Sequence, residues 1–167
     1  DDCIAKGKDF SEGGAKYNYH GLLVVGLPNL INSLLNIKEY VFNQHLCTLV
    51  DCQNCIEGNF VEHEDLRLLF QQNPLKFGLA KQEIVDLTNH VMDTISSAVA
   101  KRNMFGEKIK VGFSSPSSIG LAKDYPASLD GRHKGDPFAV HISPISSNID
   151  ISEILDFSSS LKYEGNR

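Results

Sequence analysis

Apolar positions recur at helical spacing along much of this chain. Leu30, Ile31, Leu34, Leu35 and Val41 follow a period near 3.6, broken only by Lys38. They predict a helix from Pro28 to about Phe42. Proline suits the first turn, where its missing N–H would be unpaired anyway. Ile84, Leu87, Val91, Ile95 and Val99 mark the longest helix, Lys81 to about Arg102, with Lys101 and Arg102 at its dipole-negative end. Shorter helices are expected over 48–57, over Glu62 to Gln72 with Leu66, Leu69 and Phe70 facing inward, and over Ile151 to Leu161. Asn73-Pro74 ends the second of these. The first twelve residues read as the end of a helix that enters a loop at Gly7.

Two stretches depart from that period. Leu22-Leu23-Val24-Val25, flanked by Gly21 and Gly26, is apolar at consecutive positions and predicts a fully buried segment. Ile109 to Phe113 predicts a short strand. The rest of 109–149 is rich in proline, serine and glycine. Its apolar residues Phe138, Val140, Ile142 and Ile145 predict ordered loop rather than disorder. Long ordered loops tend to be functional. No repeat or linker divides the chain. The expectation is one helix-rich α/β domain over 1–167.

Composition narrows the function. Hydrophobic residues make up 41% and charged residues 22%, the texture of a globular protein. A net charge of −5 without a clustered basic patch speaks against nucleic acid or an acidic membrane as partner. No run approaches the roughly 20 apolar residues of a membrane span. Four cysteines are too few and too clustered for a secreted disulfide framework, so a reducing cytoplasm is expected. The chain opens Asp1-Asp2-Cys3-Ile4 and closes on Lys162 to Arg167 straight after an amphipathic stretch. That pattern suggests a piece of something longer.

The conspicuous motif is Gly13-Gly14-Ala15-Lys16-Tyr17-Asn18, just before the apolar run. A glycine pair permits backbone angles or close approaches that a side chain would block. With Asn32-Ser33-Leu34 and Tyr40-Val41-Phe42 further on, this segment resembles the glycyl radical enzymes. That is the family of pyruvate formate-lyase and of the glycerol- and choline-cleaving lyases. Pro126 to Phe138, containing Asp130-Gly131-Arg132, followed by His141-Ile142-Ser143-Pro144, is similar to the family's P-D-G-R-K-x-G-E-P-x-x-x-x-I-S-P region. Leu129 replaces the usual proline before Asp-Gly-Arg. Glu57-Gly58 and Glu64-Asp65-Leu66-Arg67 resemble an F-E-G-x-E-x-L-R-like helix pair.

The resemblance implies a segment of a large ten-stranded α/β barrel. It implies a parent enzyme, a lyase or C-acyltransferase that cleaves C–C, C–O or C–N bonds of a small metabolite. A backbone glycyl radical, installed by a separate S-adenosylmethionine and iron–sulfur activating enzyme, abstracts hydrogen from a cysteine, and the thiyl radical attacks the substrate. The radical glycine's R-V-x-G-Y/F motif does not occur in these residues, and neither does the cysteine's G-C-x-E-like loop. This chain is therefore expected to supply scaffold and cavity wall, to bind no cofactor itself, and to turn nothing over. Its partners would be the rest of the parent, the activating enzyme and a small substrate. Tyr17, Asn18, Ser143, Pro144 and Ile145 are the expected cavity-lining residues, with Ile145 tuning specificity. Gly13, Gly14, Asp130, Gly131 and Arg132 form the structural motif.

Plainer readings compete at several positions. Asp130-Gly131-Arg132 also reads as a simple turn, with Arg132 in a surface salt bridge to Asp130 or Asp136. Tyr17 and Asn18, if buried, need hydrogen-bond partners. Cys55-Ile56-Glu57 has C-x-E spacing but lies in helical context on the wrong side of Gly13, so an inert packed thiol is expected. Cys52-x-x-Cys55 with Cys47 lacks the second pair of a zinc site, even with His45 and His63 nearby. No metal is expected. His20 and His141 flank the two motifs and have the pKa range of proton-transfer groups. Two further functions remain open: a non-catalytic interaction module pairing with a split partner, and a small cysteine-based metal-binding protein.

Overall fold

In a computed structural model, residues 2–18, 21–113, 118–146 and 148–163 are described. His20 lies outside them. The chain runs through α1 (Asp2–Lys6), a single 3-10 turn (Phe10–Glu12), β1 (Gly21–Leu23), α2 (Leu27–Asn36), α3 (Leu49–Glu57), α4 (Glu64–Gln72), α5 (Gln82–Val99), the hairpin β2 (Asn103–Met104) and β3 (Glu107–Lys108), β4 (Lys110–Gly112), α6 (Ser118–Ala122) and α7 (Ile151–Ser160). The helices expected from periodicity are present.

Helix α2 begins at Leu27 with Pro28 in its first turn, after Gly26 at φ 80°. It does not stop at Asn36. The chain widens into a π-helical stretch, Ile37–Asn43, before leaving the axis. Helix α3 is set by a reciprocal cap: the Thr48 hydroxyl accepts from the Asp51 N–H, while the Asp51 carboxylate accepts from the Thr48 N–H. Asn103 to Lys108 was not expected to be strand. Phe105 (φ 53°) and Gly106 (φ 83°) both adopt the left-handed region. That geometry suits a two-residue hairpin turn.

Strands β1 and β4 pair in parallel, Leu22 opposite Val111. Here the sequence expectation is corrected. Val111 is buried, but Leu22 and Leu23 are 49% and 57% exposed, and Val24 and Val25 are only half-buried. An apolar run at both parities predicts burial only when layers cover both sheet faces. Among the described residues β1 has a single strand neighbour and no cover over Leu22 and Leu23.

Two apolar clusters organise the rest. Leu27, Ile31 and Leu35 of α2 pack with Ile84, Val85 and Met92 of α5, with Val111, and with Phe77, whose ring meets Phe157 of α7 edge-on at 4.8 Å. Tyr40, Cys52, Cys55, Phe60, Phe70 and Leu129 form the second cluster. Helix α2 and its π-helical extension reach both, so one continuous element joins the two.

Candidate functional site

The polar face of α2 positions the site. Asn29, Asn32 and Asn36 are buried and fall at i, i+3 and i+7, on one side of the helix. Each fastens another segment. The Asn29 amide donates to Asp130 Oδ2 at 2.6 Å, and its oxygen accepts from the Ala139 N–H at 2.9 Å. Asn32 accepts from the Phe77 N–H. Asn36 donates to the carbonyls of Leu129 (2.6 Å) and Phe70 (3.2 Å) and accepts from the Asn73 amide (2.7 Å). Buried loop backbone needs such partners, because an unpaired polar group in the interior costs about 1–3 kcal/mol.

The segment so fastened is 126–146. Gly131 turns at φ 89°, and Asp130 Oδ1 accepts from the Arg132 N–H and the Ser128 hydroxyl. Burial pushes the Asp130 carboxyl above the usual range, against the pull of the Ser128 and Asn29 hydrogen bonds. Arg132 is not the surface ion-pair residue expected from its neighbours. It is 7% exposed, and its guanidinium donates to the carbonyls of Pro126, His133 and Asp136 and to the Ser128 hydroxyl. Its planar group also lies 4.2 Å from the centre of the Phe138 ring. A fork of five donors answers several carbonyls at once, and turn formation here leaves those carbonyls pointing inward.

These elements enclose a cavity of about 690 Å³. Asn29, Asn32, Lys76, Asp130 to Arg132, Ser143, Pro144 and Ile145 are among the residues that line it. Gly78, at φ 102°, seats this last loop: a Cβ on Gly78 would lie 2.4 Å from Pro144 Cγ. The volume is that of a small-molecule site.

Tyr17 and Asn18 are not among the residues around this cavity. Tyr17 is 84% exposed in this chain, with the Lys16 ammonium 5.5 Å from the centre of its ring. The Asn18 amide donates to the Ala15 carbonyl within its own turn. Gly13 and Gly14 shape that turn in different ways. Gly13 sits at φ 80° beneath the Phe105 ring, and a Cβ on Gly14 would strike the Lys8 carbonyl at 2.3 Å. The segment packs against the β2–β3 hairpin through this contact, which leaves the Tyr17 ring outside.

Cys47, Cys52 and Cys55 are buried and do not line the cavity. Burial raises the Cys52 thiol to about 12 and the Cys55 thiol to about 11, with the neighbouring thiols and Asp51 adding to the effect. Cys55, in α3 with no exposed surface, does not line this cavity. Among the described residues no group of three His, Cys, Asp or Glu side chains is arranged to hold a metal. No described helix is long and apolar enough to cross a membrane.

In comparison with known proteins, this helix-rich α/β segment matches part of the glycyl radical enzyme barrel. The family described as pyruvate formate lyase-like matches residues 1–121, and the chain belongs to it. The (2S)-3-sulfopropanediol dehydratase of Klebsiella oxytoca is 27% identical over 151 residues, covering 89% of this chain and 18% of that protein. The crystal structure of a glycyl radical enzyme from Archaeoglobus fulgidus superposes with a TM-score of 0.84 at 28% identity, over 99% of this chain and 22% of that one. The glycerol-bound B12-independent glycerol dehydratase of Clostridium butyricum superposes with a TM-score of 0.81 at 28% identity, over 98% and 21%. The chain thus spans about a fifth of the length of the proteins it matches.

Asn29, Asn36, Lys76 and Gly78 escaped the sequence reading. The asparagines had a signal, a polar stripe at 29, 32 and 36 inside an apolar helix. Periodicity scored on apolar positions alone passes over it.

Proposed function

We propose that this chain is the segment of a glycyl radical enzyme that supplies scaffold and one wall of the substrate cavity, within a single partial domain over 1–167. The parent would cleave a C–O, C–N or C–C bond of a small metabolite. The dehydratase names among the relatives favour C–O. The cavity enclosed by 126–146, α2 and Lys76 carries this reading. In it, Ser143, Pro144 and Ile145 contact substrate, with half-exposed Ile145 tuning its shape. Tyr17 and Asn18 belong to a surface that faces the remainder of the enzyme.

The glycyl radical, when installed by the separate activating enzyme, supplies hydrogen-atom abstraction. Neither that glycine's motif nor its partner cysteine loop is in these residues, so no step is routed through them. What these residues do is bind and orient. Asn29 and Arg132 hold the loop, and the loop excludes water from one side of the substrate. A reducing cytoplasm suits the four unpaired thiols.

Anaerobic incubation of the purified chain with glycerol or propane-1,2-diol, with and without an activating enzyme and S-adenosylmethionine, tests the assignment. No aldehyde and no organic radical signal are expected. Aldehyde formation or a radical on this chain would contradict it.

A further inference from the structure

We infer that Cys47 and Cys52 form a peroxide-sensitive thiol pair, which closes into a disulfide across the start of α3.

Cys47, Cys52 and Cys55 all lie in the second apolar cluster. Two of them hold special places in the cap of α3. Thr48 is its N-cap and Asp51 its third residue, bound to each other reciprocally. Cys47 therefore stands just before the cap, and Cys52 is the fourth residue of the helix. Those are the two positions whose side chains meet in a hydrophobic staple. Here the staple is made of two sulfurs, and they are hydrogen-bonded to each other. The cap itself brings them together, within the short run 47–52, so the pairing does not depend on anything packed from outside. Both side chains are already buried, at 8% and 3% exposure.

Burial pushes both thiols up, Cys52 to about 12, which makes their oxidation slow at neutral pH. Their hydrogen bond then separates the roles. It favours the thiolate of Cys47 and opposes that of Cys52, so the Cys52 S–H donates and Cys47 Sγ accepts. Cys47 is also the more exposed of the two. Hydrogen peroxide therefore meets Cys47 first. The Cys47 sulfur attacks one peroxide oxygen, the O–O bond breaks, and a sulfenic acid forms as water leaves. Cys52 Sγ then attacks the Cys47 sulfur, the S–O bond breaks, and a second water departs with the Cys52 proton. The two thiols give up two electrons, and one peroxide takes them to become two waters.

Cys55 is the competing partner. It has no exposed surface and follows Cys52 by one turn inside α3. The Cβ vectors of both tilt toward the helix N-terminus, so neither aims at the other. Closure at Cys47 also reaches α2. The N–H groups of Leu46 and Cys47 both donate to the Tyr40 carbonyl, at 2.8 and 3.3 Å, in the π-helical extension of that helix. Drawing Cys47 to an S–S length of about 2.0 Å tightens this exit.

Treatment of the reduced 167-residue chain with excess hydrogen peroxide at pH 8 tests the inference. Cys47 and Cys52 should be lost to alkylation in denaturant and recovered with dithiothreitol. Unreduced cleavage before Asp51 should leave the Cys47 peptide linked to the Cys52 peptide, with fragmentation placing the bond between those two sulfurs. Cys47→Ser and Cys52→Ser should each abolish the bond, while Cys55→Ser and Cys3→Ser should retain it. The wild-type digest gives the connectivity even if a variant fails to fold. The amide signals of Leu46 and Cys47 should move on oxidation. A Cys52–Cys55 bond, a bond that survives Cys47→Ser, sulfinic acid in place of the disulfide, or Cys47 and Cys52 still reduced after the treatment overturns the inference.

Discussion

Pro144 rests on Gly78: a Cβ at Gly78 would come within 2.4 Å of Pro144 Cγ and 3.0 Å of its Cβ. The proline ring cannot swing aside as a long side chain would, and Gly78 sits at φ 102°, where L residues are strained. Gly78→Ala should therefore cost roughly 2–4 kcal/mol, combining a backbone penalty with overpacking. Thermal unfolding reads the loss. Crystallography or NMR should show the displacement concentrated in Ser143 to Ser146. An alanine variant as stable as wild type would remove Gly78 as the seat of this loop.

Asn36 joins three segments at a point with almost no exposed surface. Asn36→Leu preserves approximate volume but strands the Leu129 and Phe70 carbonyls and the Asn73 amide. A destabilisation of about 3 kcal/mol is expected in denaturant titration. The same exchange at exposed Asn43 should cost much less.

Arg132→Lys keeps the charge and loses the fork. One ammonium cannot span the carbonyls of Pro126, His133 and Asp136 together with Ser128, and it stacks less well on Phe138. The expected cost is about 2–3 kcal/mol in thermal unfolding, with faster amide exchange over 128–136. An unchanged melting temperature would mean that these bonds add nothing over solvent.

The buried thiols predict an alkaline weakness. Cys52 and Cys55 are raised in the folded chain from about 9 to about 12 and about 11. Below pH 9 both states hold these protons and stability is insensitive to them. Between pH 9 and 12 the unfolded chain binds fewer protons than the folded one, so stability falls as pH rises. Unfolding midpoints across pH 8–11 should decline, and replacing both cysteines by alanine should flatten the decline. At pH 8 iodoacetamide should modify half-exposed Cys3 well before Cys47, Cys52 or Cys55.

Helices were legible in the sequence because Ile84 to Val99 and Leu30 to Val41 repeat at 3.6 residues, and Pro28 marked where the second of these starts. Asp130-Gly131-Arg132 and Ser143-Pro144-Ile145 stood out in the sequence as motifs. What escaped depends on long-range contact. Burial of Leu22 and Leu23 needs covering layers, which local pattern cannot supply. Arg132 was assigned to nearby carboxylates, yet carbonyls brought inward by the turn claimed it. The hairpin at Phe105 has glycine at only one of its two left-handed positions, so its turn signal was half-written.

In the proposed function, a small hydroxylated substrate meets this chain in the cavity between α2, Lys76 and 126–146. A ¹H–¹⁵N titration of the chain with glycerol tests it most directly. Saturable shifts are expected, concentrated in the side-chain amides of Asn29 and Asn32 and in the backbone amides of Gly131, Ser143, Ile145 and Ser146. Shifts confined to the second depression around Asn54, Glu57 and His63, or none up to molar glycerol, would contradict it.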